Sequence, residues 1–252
     1  MLKRRIIPIQ LLSGDRLVKT RSFESPRDVG DPVKSSKVYS DNDADELFIL
    51  QIDRCDGALE NLYSKVLQIA NECFAPLTAG GAITKSADAI RLFSAGADKI
   101  VLNSICFTEP EVISDIAKFA GSQAVVVAID AKFERGNYVL YSGGGRVAQP
   151  ISLEKHIANA VDSGAGEILI QSIGHDGVME GYDLGLLDRV CSVCPLPVII
   201  AGGAGNFIHL KEAFDAGADA VACGSLFNFG DNNPLRAKAF LSNLGFPLKR
   251  IR

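Results

Sequence analysis

Two aspartates carry the strongest signal for proton chemistry. Asp130 closes the β-branched run VVVAID, and Asp176 lies in Gly174-His175-Asp176-Gly177, just past the run EILIQS. A carboxyl at a strand end can act as general acid or base where burial tunes its pKa. The plainer alternative for each is an aspartate that caps its own loop. Four small-residue turns offer a second chemistry. Gly80-Gly81 and Gly202-Gly203 follow strand patterns, whereas Asn103-Ser104 and Gly224-Ser225 end them. Such residues let backbone amides approach an anion, with a serine hydroxyl as a further donor. Tight turns alone would also call for glycine, but the whole set recurs half a chain apart. Two opposed grips suit an elongated ligand with a phosphate at each end.

A third group is charged where packing alone would be apolar. Arg5, Glu46, Lys99 and Glu167 stand at the beginnings of strand patterns, and Glu46 and Glu167 are 121 positions apart. Buried charges persist only when paired, so four alternating charges predict a salt-bridged ring. The ring reads either as a structural plug or as a gate for a small neutral molecule. His156, His175 and His209 share no metal-ligand spacing, and no metal or cofactor is implied. Cys191 and Cys194 form a lone C-x-x-C without a second pair, which reads as helix-end packing, and all six cysteines read as reduced thiols.

These residues need a scaffold that repeats. Eight β-branched runs lie near 5–11, 46–52, 76–80, 98–103, 123–130, 166–172, 197–201 and 219–224, each followed by a helical pattern. The helix near 109–119 is expected to start at an N-cap Thr108, with Pro110 in its first turn. Residues 76–104 and 197–225 share one pattern, strand, Gly-Gly turn, helix, Gly-Ala-Asp, strand, serine, at an offset of 121. Quarter repeats occur at Ala44-Asp45, Ala97-Asp98, Ala165-Gly166 and Ala218-Asp219, spaced by 53, 68 and 53. A single α/β domain over 1–252, a (βα)8 TIM barrel with halves near 1–121 and 122–252, satisfies these periods better than an open sheet. Two segments interrupt the regularity. Residues 13–31 read as a polar lid after the first strand, and residues 131–150 as a hairpin after the fifth.

Composition limits the function classes. The 252 residues are 47% hydrophobic and 22% charged, which excludes disorder, collagen and coiled coil. A net charge of −4 argues against a dedicated nucleic-acid binder but leaves room for a local phosphate site. The N-terminal apolar run is broken at Pro8 and Gln10, and nothing is long enough to span a bilayer, so the expected location is cytoplasmic.

The chain resembles the HisF family, the cyclase subunit of imidazole glycerol phosphate synthase. The resemblance runs the full length through RRIIPI, DRLVKT, GDPV, ADEL, GADK, GSQAVVVAIDAK, GAGEILI, DGVMEGYDL, AGGAG and GSLFNFG. It implies a half-symmetric barrel that receives ammonia from a HisH-type glutaminase docked at its floor, with Asp98 at that interface. It makes Arg5, Glu46, Lys99 and Glu167 the gate, Lys19 the lysine of a mobile loop, and Asp130, Asp176 and Lys19 the catalytic set. Gly81, Ala82, Asn103, Ser104, Gly177, Gly203, Gly224 and Ser225 become the phosphate-binding set.

The departures from the family fall on its chemistry. The family's first strand reads I-P-C-L-D-V with a catalytic aspartate, whereas here Ile7-Pro8-Ile9-Gln10-Leu11-Leu12 puts leucine at that place. Gln51 replaces the aspartate of F-L-D-I, Gln171 replaces a threonine, and Ala82 replaces the third glycine of a G-G-G turn. Retained gate residues with altered chemistry residues resemble the diverged WbuZ or second-HisF paralogues. These imply ammonia supply, with a glutaminase and a separate amidotransferase, to acetamidino sugars of surface polysaccharides. The competing expectations are a histidine-pathway cyclase whose base has moved to Asp15 or Asp53, and a non-catalytic phosphate-binding barrel.

Overall fold

The computed structural model describes residues 3–249. Twelve strands follow one another along the described chain: β1 Arg5–Ser13, β2 Arg16–Arg21, β3 Glu24–Gly30, β4 Leu47–Gln51, β5 Leu77–Gly80, β6 Lys99–Leu102, β7 Val125–Glu134, β8 Asn137–Ser142, β9 Val147–Gln149, β10 Glu167–Ser172, β11 Val198–Ala201 and β12 Ala220–Cys223. Eight of them are parallel neighbours in the order β1, β4, β5, β6, β7, β10, β11, β12, and β12 pairs back to β1 through Arg5↔Ala220 to Pro8↔Cys223. The sheet is therefore closed. It forms a (βα)8 barrel, with a helix on the outside after each barrel strand, from Pro32–Asp41 to Pro234–Asn243.

Side-chain alternation explains why the strands close. Ile7, Ile9, Phe48, Val101, Val126, Ala128, Leu169 and Ile199 form one buried cluster inside the barrel. Their neighbours along the strands, among them Ile6, Leu12, Leu47, Ile49, Val125 and Ile168, join the larger cluster beneath the helices. Strands buried on both faces read as continuous apolar runs, as the sequence has them. The quarter repeat also has a physical cause. The carboxylates of Asp45, Asp98 and Asp219 accept from the amides of Ile6, Leu77 and Val198, tying each strand start to a neighbouring strand. The fourth place is Gly166, where a built Cβ would lie 2.1 Å from the Ser122 carbonyl oxygen, so no side chain fits.

Two expectations are corrected. The helix near 109 is split: a short turn covers Ile105–Thr108, and the longer helix is Glu111–Ala120 with Pro110 at its N-cap. Thr108 ends the first piece, its hydroxyl donating to the Ile105 carbonyl, because Ser104 already opens a helical turn directly off β6. Residues 13–31, expected as a long polar connection, have structure of their own. They form the antiparallel hairpin β2–β3, with β2 paired to the extended end of β1 through Leu11↔Val18 to Ser13↔Arg16. The hairpin after the fifth barrel strand forms as expected, with β7 continuing into β8 and β9. Among the described residues no helix is long and apolar enough to cross a membrane.

Candidate active site

The mouth lies at the C-terminal strand ends. A cavity there is lined by Ile9, Leu11, Lys19, Gln171, Asp176, Gly177, Gly203, Gly224 and Ser225, among others. Leu11 follows Ile7 and Ile9 along the inward-facing side of β1, so the mouth wall is apolar at this point. Asp130, on β7, accepts from the Asn103 side-chain amide at 2.9 Å. Burial pushes the Asp130 carboxyl up to about 7, against the Asn103 hydrogen bond, and the nearby Asp176 charge adds to the rise. Asp176 is also held above its ordinary range by burial, although it accepts from Thr20 Oγ1 at 2.6 Å, the Phe23 amide at 3.2 Å and Gln171 Nε2 at 3.3 Å. The Asp130 carboxyl, raised to about 7, can store and release a proton near neutrality, and the Asp176 carboxyl stands in the same mouth.

Lys19 is buried. Its ammonium donates to the Ile9 carbonyl at 2.7 Å, and burial lowers its pKa to about 8 against the attraction of Asp176. The hairpin that carries it is latched to the barrel by Thr20 on Asp176 and by the Ser22 amide on the Asp176 carbonyl oxygen. Lys19 Nζ would lie 2.6 Å from a Cβ built on Gly224, so the ammonium stands directly against the β12 turn. Gly177 and Gly203 are left-handed, with φ of 70° and 113°, and a Cβ on either would strike a backbone carbonyl oxygen.

The opposite turns are built differently. Gly81 has φ 82° and Ala82 has φ 54°, a left-handed place that alanine fills at some cost. Ser104 Oγ accepts from the Gly143 amide at 3.0 Å, which ties the β6 turn to the hairpin after β7. Gln10, Gln51 and Gln171, at three strand ends or interiors, also separate. Gln10 points outward to Ser36 and Gln51 to the Ala58 carbonyl, so only Gln171 lines the mouth. Asp53 is engaged by Ser13 Oγ and the Gly14 amide, and Asp15 is exposed.

At the other end of the barrel the four charges meet. Arg5 reaches Glu46 at 2.7 Å and Glu167 at 2.9 Å, while Lys99 reaches Glu46 at 3.2 Å and Glu167 at 2.9 Å. The alternating ring is complete. Burial disfavours the Arg5 charge, yet Glu167 and Glu46 outweigh it and hold its pKa above the ordinary value. Thr78 Oγ1 also donates to Glu46, a partner the sequence did not single out. Between this ring and the mouth the interior is the apolar cluster around Phe48, Val126 and Leu169. Asp98 lies outside the ring, exposed, with its carboxylate on the Leu77 amide.

Sequence profiles and relatives agree with this architecture. The profile of the family described as "Histidine biosynthesis protein" matches residues 5–233. The chain belongs to that family. Among its relatives, the imidazole glycerol phosphate synthase subunit HisF of Chlorobium limicola is 39% identical over 250 residues, covering 99% of this chain and 100% of the relative. The HisF subunits of Streptomyces coelicolor and Hyphomonas neptunium are each 39% identical, covering 97% and 100% of this chain and 98% and 100% of the relative. Within this histidine biosynthesis family member, the residues that sequence reasoning missed are polar groups meeting across long separations. Ser172 and Tyr138 both donate to Asp183, which caps Leu184–Cys191, and Thr20 holds Asp176. No local spacing signals such pairs.

Proposed function

We propose that this chain is a HisF-type barrel subunit that receives ammonia from a HisH-type glutaminase and has lost the first-strand acid of the ring-closing reaction. One observation carries the reading: the floor ring is complete, while position 11 in the mouth is leucine. The ring has equal numbers of positive and negative groups, and an apolar interior stands above it. Such a path favours neutral NH3 over ammonium, because an unpaired ion in that interior carries a large desolvation cost. Opening requires one ion pair to part, and glutaminase docking at the floor beside Asp98 supplies the occasion.

At the mouth, the grips at Gly81, Ala82, Asn103 and Ser104 and at Gly177, Gly203, Gly224 and Ser225 hold the two ends of a phosphorylated substrate. Lys19, Asp130 and Asp176 then face its centre. Asp130 and Asp176 serve as proton carriers, and Lys19 provides positive charge near the Gly224 turn. Loss of the acid at position 11 removes a step that typically contributes about 10²- to 10⁴-fold. The role that remains is ammonia supply, as in the paralogues that serve acetamidino-sugar synthesis together with a separate amidotransferase.

The test pairs the protein with a HisH-type glutaminase. Glutamine-dependent ammonia transfer that fails in Lys99→Ala and Glu167→Ala, without normal turnover of the imidazole glycerol phosphate precursor, is the expected result. Normal cyclase rates would overturn the paralogue reading, and transfer untouched by the floor variants would overturn the gate. The second reading, a histidine-pathway cyclase, is favoured by the full-length 39% identity to HisF subunits. Rescue of a histidine auxotroph lacking the cyclase would establish it.

A further inference from the structure

The half of the mouth opposite Lys19 contains two cations that the reading above does not use. Arg54 lies in the loop after β4, and Arg146 in the turn between β8 and β9. Neither guanidinium has an ion-pair or hydrogen-bond partner among the described residues. The Arg54 fork lies along the glycine turn: a Cβ built on Gly143 would stand 3.4 Å from its Nη1, and one on Gly144 3.6 Å from its Nη2. Gly143, Gly144 and Gly145 are all left-handed, with φ of 69°, 66° and 78°, a run that side chains strongly disfavour. The Gly143 amide is used by Ser104 Oγ, whereas the amides of Gly144 and Gly145 donate to no acceptor among the described residues.

Arg146 belongs to the same glycine turn along which the Arg54 fork lies, so two cations share one turn. Burial and the neighbouring Arg146 hold the Arg54 pKa below its ordinary value, and Asp130 only partly offsets them. An anion at this turn would offset both charges, and planar guanidinium forks match phosphate oxygens two at a time. The opposite grip has one ammonium, Lys19; this one has two guanidiniums and two free amides. We propose that Arg54 and Arg146, with the Gly144 and Gly145 amides, form a diphosphate site that extends the grip at Ser104. The ligand class is a diphosphate ester whose remaining part reaches the Lys19 side of the mouth. Only the phosphate-grip portion of the proposed function underlies this inference; the ammonia portion does not enter.

Calorimetric titration of the full chain with inorganic pyrophosphate and inorganic phosphate, at fixed ionic strength, is the test. Arg54→Gln and Arg146→Gln touch no internal partner, and Lys132→Gln on the same extended hairpin controls for general charge. Pyrophosphate is expected to bind at least tenfold tighter than phosphate, and either arginine variant to lose about tenfold of that affinity, as one charge-assisted contact implies. Lys132→Gln should retain it. Equal affinity for the two anions in the wild type overturns the inference, as does a preference that survives both arginine variants or falls equally in Lys132→Gln. In each of those outcomes phosphate binding keeps the grip reading intact. Binding of neither anion would overturn both.

Discussion

Lys19→Met separates what the buried ammonium does for function from what it costs in stability. The side chain is 6% exposed, and its pKa falls from 10.5 to about 8 in the folded chain. At about 1.4 kcal/mol per unit, holding the charge at pH 7 costs the fold about 3 kcal/mol. Between about 8 and 10.5 the unfolded chain keeps a proton that the folded chain has lost, so wild-type stability rises with pH across that window. Methionine keeps the apolar stem and removes the titration, but leaves the Ile9 carbonyl without its donor, a loss of about 1 kcal/mol. The variant should therefore be more stable than wild type by about 2 kcal/mol at pH 7. Above pH 10.5 it should be slightly less stable. Urea midpoints for both proteins from pH 6 to pH 11 measure the gap, while ammonia-dependent activity should fall in the variant. A stability gap that stays constant with pH would refute the argument, because it would mean that the hairpin does not hold the ammonium out of water.

Leu11→Asp returns a carboxylate to the mouth beside Lys19; turnover of the imidazole glycerol phosphate precursor with ammonium salt should rise by at least tenfold, up to about 10²–10⁴-fold. No rise would show that the missing acid is not what limits cyclisation. Asp130→Asn removes a carboxyl whose folded pKa is raised to about 7. Wild type should lose stability as pH rises from about 4 to about 7, and the variant should not, which thermal melts across that range will measure. Glu167→Ala leaves Arg5 and Lys99 each short of one partner in a partly exposed ring, and circular dichroism should show a loss of about 1–3 kcal/mol. Gly81→Ala places a Cβ 1.9 Å from the Gln51 carbonyl oxygen at a φ of 82°, and should cost about 3 kcal/mol or more in the same assay.

Much of this protein is written in short-range pattern. The apolar runs give the eight barrel strands within two or three residues at most ends, because a strand buried on both faces must be apolar throughout. The half repeat gives closure, and the spacing of Arg5, Glu46, Lys99 and Glu167 gives the ring, since buried charges at one level of a barrel have only each other to pair with. What the sequence could not fix was the state of polar groups whose neighbours come from distant segments. The burial of Lys19 is legible only once β2 is seen paired to β1, with the ammonium on the Ile9 carbonyl. Gln10, Gln51 and Gln171 look alike as letters, yet strand parity turns two of them outward and leaves one in the mouth. Arg54 and Arg146 belong to no motif at all, and only the closed barrel lays Arg54 along the β8–β9 turn that carries Arg146. Periodicity is local and survives in one dimension, whereas desolvation and charge proximity depend on which segments the closed barrel brings together.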